Sequence, residues 1–516
     1  MLLSAVLPLE VRGQVRLPSL GEAASDEVTV SAEKRLGEQV MREIRRDPDY
    51  LDDPELLEYL QSIWQPLVAA ARQRGEISAD IDGLFAWESF LVRDRSVNAF
   101  ALPGGYVGVH LALIALTASP DELASVLAHE LSHVTQRHIA RSIVTNQRQS
   151  LLALAGLIVG IVAASRSNSP DMANAAIMGS QAAAVQGQLN FSRDMEREAD
   201  RVGFGVMQQA GFASGGMAAM FEKLDQANRL NDSGAFPYLR THPLTVERVA
   251  EARARAGASP VRTAALTRLE HQLMQSRARV LMDPAVQARR RLQELDADAP
   301  GAAPRERLAA LYASSLASTQ LRDFARAERA WTDGARLAEA LPREEARARQ
   351  LWAMLGVELA LAQGDATRAA QRVAGLPDSG SRAALLLKSQ VAVAANEPAQ
   401  LRRQAEALQA WVAERRHDAL AWTTLSQCAE AQGQKLRAVR AQAESHAAIG
   451  DLPGAIDRLR AGQRLARGGA AQGDFIEASV IDARLRELEA QRRQLMAELR
   501  GKGQQGPQGP QGRDGD

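Results

Sequence analysis

Residues 124–135 read Ala-Ser-Val-Leu-Ala-His129-Glu130-Leu131-Ser132-His133-Val-Thr. On an α-helix, positions i and i+4 lie about 40° apart on one face. His129 and His133 can therefore present two imidazole nitrogens to one cation. Glu130, one position on, can reach a water on that cation without binding the cation itself. The spacing H-E-x-x-H points to a zinc peptidase, with a third protein ligand needed and one coordination position left open. The flanks predict the helix. Ser119 fits the N-cap, Pro120 the first helical position, and Glu122 completes a capping box. Leu123, Val126, Leu127, Leu131 and Val134 then recur at helical spacing. Without those flanks the motif reads as two surface histidines on an amphipathic helix.

A second segment, Phe191-Ser-Arg-Asp-Met-Glu196-Arg-Glu-Ala-Asp200, opens another helical pattern that Val202, Val206 and Met207 continue. Glu196 and Asp200 are four apart and share a face. One can bind metal while the other supports the site through a hydrogen bond or a proton transfer. By itself the run reads as a solvated face of alternating charge. Upstream, Val97, Ala99 and Ala101 alternate with Asn98, Phe100 and Leu102, which predicts a strand. Pro103-Gly104-Gly105 is a turn signal, and Tyr106–Val109 is the expected returning strand.

Three motifs in this order, N-A-F-x-x-P-G-G at 98–105, H-E-L-S-H at 129–133 and S-R-D-M-E-R-E-A-D at 192–200, resemble the peptidase family that includes the CAAX prenyl protease, HtpX and the mitochondrial Oma-type proteases. The run at 124–141 is especially similar to members that join a peptidase domain to tetratricopeptide-type helical repeats. The resemblance implies that His129, His133 and Glu196 hold one Zn2+ per chain. It implies Glu130 as general base and Asp200 in a supporting or proton-donor role. His242, in Arg-Thr-His242-Pro-Leu, matches a histidine that can approach the zinc and hold such enzymes latent; as a bare residue it reads as a loop histidine. Asn98, Phe100 and Gly104 mark an edge along which substrate would add as a strand, with main-chain pairing giving affinity. His138 lies five positions from His133, off the ligand face of a continuing helix, and reads as structural. His110, His271, His417 and His446 carry no motif.

The fold class expected is mainly α. An α+β zincin-like metallopeptidase domain, with the H-E-x-x-H helix and a small sheet with an edge strand, is expected over 26–265. An all-α, tetratricopeptide-like repeat domain follows over 266–500. There the breaks Gly364-Asp365, Asn396-Glu397-Pro398, Gly433-Gln434 and Gly450-Asp451 punctuate helical patterns, the first three at close to the 34-residue helix–turn–helix period. Trp422, Leu425 and Ala438 fit one unit; Trp352, Leu355 and Ala369 fit another. Residues 1–25 read as the residue of a leader, and the Gly/Gln/Pro-rich 501–516 as a disordered tail.

Composition narrows the function class. Lys plus Arg and Asp plus Glu each number 62, so net charge is zero and no basic field argues for nucleic acid. Cys428 is the single cysteine, which excludes an intramolecular disulfide. Leu2–Leu9 is apolar but lacks a basic start and is interrupted at Glu10, like the end of a secretory leader that begins upstream. Leu151–Ala164 carries no charge, yet as a helix it would span only about 21 Å, against the roughly 30 Å of a hydrocarbon core. The apolar insert at 151–185 is expected as core, or as a lid or peripheral membrane-contact loop. The resemblance implies a periplasmic zinc metalloendopeptidase in outer-membrane β-barrel assembly quality control. It would degrade misfolded or stalled clients, and its repeats would bind those clients and the assembly machinery, with chaperone action as a further implied role. The alternative is a latent peptidase acting as a helical-repeat scaffold.

Overall fold

The structure, a computed structural model, describes residues 28–145, 193–230, 236–257, 268–296, 302–376, 380–467 and 474–503. The expected leader, the 151–185 insert and all but three residues of the 501–516 tail lie outside the described residues.

Four strands form a mixed sheet: β1 (Tyr50–Leu51), β2 (Glu88–Val92), β3 (Ala99–Leu102) and β4 (Tyr106–His110), in the order β1-β2-β4-β3. β2 runs parallel to β4, with Glu88 opposite Tyr106 and Val92 opposite His110. β3 returns antiparallel on β4, with Ala99 opposite Val109 and Leu102 opposite Tyr106, which leaves β3 at one edge. The strand pair and its turn match the expectation. Gly104 and Gly105 turn the chain with φ of +78° and +86°, a region that costs other residues dearly. β2 was not anticipated, because its apolar run Ser-Phe-Leu-Val shows no alternation and its partner β4 is parallel and non-adjacent in sequence.

The Pro120–Thr135 helix lies against this sheet and is buried on every side except at Asp121. Its start is capped much as the sequence predicts: Ser119 Oγ accepts from Glu122 N at 3.2 Å. Glu122 reaches one residue further back than a standard capping box, taking the N–H of Ala118 at 2.7 Å. The helix stops at Thr135, and His138 opens a separate helix, His138–Thr145.

Helix follows helix after Arg268. The expected breaks are real turns: Gly364, Asn396, Gly433 and Gly450 all take left-handed backbone, ending one helix so that the next can fold back. Among the described residues the two halves share part of their packing. One apolar core runs from Leu60, Trp64 and Leu127 into Leu308, Tyr312 and Trp352. A set of arginine–carboxylate pairs reinforces it. Arg277, on the Arg268–Leu281 helix, donates to both oxygens of Asp53 at 2.8 Å and to Glu358 at 2.9 and 3.1 Å, and pairs with Glu55. Arg382 forks onto Asp52 at 2.7 Å and onto Asp418, and Arg347 reaches Glu58 at 2.8 Å. The first two turns of the Pro54–Gln73 helix and the residues just before it thus hold three arginines from the helical half. No helix among the described residues is long and apolar enough to cross a membrane.

Candidate metal centre

Two long helices bring the ligands together. The Arg193–Gln209 helix crosses the Pro120–Thr135 helix closely enough that a Cβ on Gly203 would stand 3.0 Å from the backbone of Ala128 and 3.1 Å from His129 N. Gly203 lies seven positions, two turns, after Glu196, so the same face that needs a glycine carries the carboxylate. His129 Nε2 and His133 Nε2 are 3.0 Å apart, and Glu196 places Oε2 and Oε1 at 3.5 Å from them respectively. A short helix, Tyr238–Thr241, delivers His242, whose Nδ1 lies 3.0 Å from Glu196 Oε1 and 3.3 Å from His129 Nε2. The Tyr238 ring stacks on His242, with centroids 4.6 Å apart.

One ligand atom from each of His129, His133, Glu196 and His242 lies within 4.8 Å of the others, and all four residues are buried. A tetrahedral ion with bonds of about 2.0–2.2 Å needs donors roughly 3.3–3.6 Å apart, close to the spacing found. The donor set of imidazoles and one carboxylate, with no thiolate, suits zinc or another divalent transition metal. The local field agrees. Burial works against charge on His129, yet hydrogen bonding to Asp200 and Glu196 lifts its pKa to about 10. A site that would hold a proton so firmly is negative enough to hold a cation. Burial alone would raise Glu196, but His242 and His129 hold it far below the usual carboxylate range.

Asp200 stands behind His129: its Oδ1 is 2.9 Å from Nδ1, and Arg248 forks onto it at 2.6 and 2.9 Å. Against the cost of burial, those two partners keep Asp200 ionised by lowering its pKa. A carboxylate on the far nitrogen fixes the tautomer and leaves Nε2 free to bind. Arg248 also lies 2.8 Å from Glu196 Oε2 and donates to Pro243 O. Sequence reasoning missed this arginine. Thr245, whose side chain caps the Val246–Ala256 helix and so aims its first turn inward, was the available signal.

Glu130 is fully buried. Its Oε2 accepts from Ala101 N at 3.1 Å, and its Oε1 has no hydrogen-bond partner and lies 3.5 Å from His242 Nε2. Burial raises its pKa, with His242 and His129 opposing. A raised carboxyl suits proton uptake near neutral pH. The edge residues lie close by: Ala101 is in β3, Phe100 packs edge-on to His110 and covers Gly108, Gly104 is in the β3–β4 turn, and Asn98 Oδ1 is buried without a partner. His138, read from helical spacing as structural and off the ligand face, is not among the four clustered ligands. The helix break returns it to His133, Nδ1 to Nδ1, at 2.9 Å.

Residues 56–256 match peptidase family M48. Over 487 residues, 94% of each chain, the sequence is 30% identical to the β-barrel assembly-enhancing protease of Escherichia coli. It is 36% identical to that of Yersinia pestis over 241 residues, 46% of this chain and 47% of the relative. It is 29% identical to the mitochondrial metalloendopeptidase OMA1 of Schizosaccharomyces pombe over 230 residues, 43% of this chain and 61% of the relative. With the histidines and Glu196 gathered about one point, the chain belongs to peptidase family M48 and is a metalloprotease.

Proposed function

We propose that the chain is a periplasmic zinc endopeptidase that degrades misfolded or stalled outer-membrane β-barrel proteins, recruited through its helical-repeat half, with its resting site closed by His242. One observation carries the reading: His129, His133, Glu196 and His242 converge within 4.8 Å, and Glu130 Oε1 stands beside them. Bound zinc would supply Lewis acidity to a scissile carbonyl and make a water acidic enough to attack near neutral pH. Glu130 Oε1 then takes the water's proton and passes it to the leaving amine. Asp200 and Arg248 hold His129 and Glu196 in place. The β3 edge, bounded by Asn98 and Gly104 with Phe100 at its centre, pairs with the substrate main chain. The Ala101 N–H links that edge to Glu130. The client class is supported by the similarity to the β-barrel assembly-enhancing proteases of Escherichia coli and Yersinia pestis, and recruitment by the long helical half. Stacked helices of that kind present extended surfaces to proteins.

The latent state has its own support. A catalytic zinc keeps one position for water, whereas four protein ligands make a closed, structural-type site. His242 Nδ1, 3.0 Å from Glu196 Oε1, would take that fourth position in place of the water, and its Nε2 lies 3.5 Å from Glu130 Oε1. The His242→Ala chain should therefore cleave a casein-type substrate about tenfold faster or more than the parent, the factor that a closed-state preference of about 1.4 kcal/mol imposes. Equal rates would leave the site open at rest. An inactive His242→Ala chain that holds zinc would favour the scaffold alternative.

A further inference from the structure

A buried polar relay behind His133 takes no part in the steps above. His138 Nδ1 lies 2.9 Å from His133 Nδ1, and His138 Nε2 lies 3.0 Å from Glu198 Oε2. Arg141 donates to the same oxygen at 2.8 Å. Both rings are 0% exposed, so no solvent intervenes. Two imidazole nitrogens this close need one proton between them. His133 Nε2 faces His129 and Glu196, and a nitrogen that binds a cation carries no proton. The His133 proton is therefore on Nδ1, donated to His138 Nδ1. The His138 proton is then on Nε2, donated to Glu198, which as a carboxylate only accepts. With a cation on His133 Nε2, the directions of these two hydrogen bonds follow.

The backbone is bent to make the relay possible. In a continued helix, position 138 would lie about 140° around the axis from 133. Instead Arg137 takes left-handed backbone, φ 52°, between the two helices. That conformation is unfavourable for a residue with a Cβ. The Arg137 side chain holds the bend from the far side: Nε donates to Glu33 at 3.1 Å and Nη2 to Val28 O at 2.7 Å, all buried. Strain that the surroundings hold in this way is found where geometry serves a site.

We propose that His138, anchored by Glu198, is a positioning residue that fixes the tautomer and aim of the metal ligand His133, as Asp200 does for His129. The proposal rests on the reading of His133 as a metal ligand. The test uses the full chain as wild type, His138→Leu, His138→Gln and Glu198→Ala, each stripped of metal and titrated with zinc against a chromogenic chelator. Leucine fills the space but accepts no proton, and should weaken zinc affinity about 10- to 100-fold. Glutamine can accept from His133 through its carbonyl and donate to Glu198 through its amide, and should recover most of that loss. A leucine variant as tight as wild type overturns the proposal, and so do equal losses in the leucine and glutamine variants. If the leucine variant does not fold, Glu198→Ala decides: weaker zinc binding supports the relay and unchanged binding overturns it. Wild type that binds no zinc sinks the metal-centre reading and the relay with it. Wild type that binds, with unaltered variants, sinks the relay alone.

Discussion

In a His242→Ala background, Glu130→Gln should leave zinc content unchanged and cut peptide hydrolysis by about 10²- to 10⁴-fold, the usual contribution of a general base. Glutamine keeps the length and shape of the side chain. Its amide oxygen can still accept from Ala101 N, so the tie between the helix and β3 survives. What it loses is the basic oxygen, Oε1, that has no hydrogen-bond partner in the fold. Zinc analysis and casein-type cleavage on the same preparation separate the effects. Loss of both zinc and activity would make Glu130 a structural group rather than the base. Under the scaffold alternative, cells carrying Glu130→Gln would keep full function, while a chain cut after about residue 268 would lose it.

Replacing Arg277 with Leu should destabilise the fold by about 3–5 kcal/mol, the cost of removing one partner from a buried ion cluster. Asp53 and Glu55 are buried beside it and Glu358 is partly exposed, and no other cation pairs with them among the contacts described. Denaturant unfolding measures the loss. Acid should restore part of it. Burial already raises the Glu55 pKa, against the pull of Arg277. Without the arginine that pKa rises further above its unfolded value. A raised carboxyl pKa costs no stability below the unfolded value and costs progressively more as pH climbs toward the folded one. The deficit should therefore be larger at pH 8 than at pH 5. A loss below about 1 kcal/mol, within the range of an exposed pair, would mean that the two halves hold together through the shared core alone.

Much of the site was legible because its signals are local. The Ser119 cap, the i, i+4 histidines and the Glu196/Asp200 pair each need only a few neighbouring residues to be read. The same holds for the β3–β4 turn and for Gly364, Asn396, Gly433 and Gly450, where a left-handed residue ends a helix. What stayed hidden depends on distance along the chain. Arg277 finds Asp53 across 224 positions, and no periodicity announces that pairing. The parallel β2–β4 pairing is hidden for the same reason. Arg248 resembles any basic residue on an exposed helix until the fold turns it onto Asp200. The contact of His138 with His133 was hidden because helical spacing predicts faces only while the helix continues, and this one ends at Thr135.

Zinc K-edge absorption on the purified chain tests the central claim most directly. The account predicts one zinc per chain, bound by nitrogen and oxygen donors alone at about 2.0–2.2 Å, with a Glu196→Ala chain losing one oxygen donor from that shell. A folded protein without stoichiometric metal, or an absorption spectrum unchanged by Glu196→Ala, would contradict it.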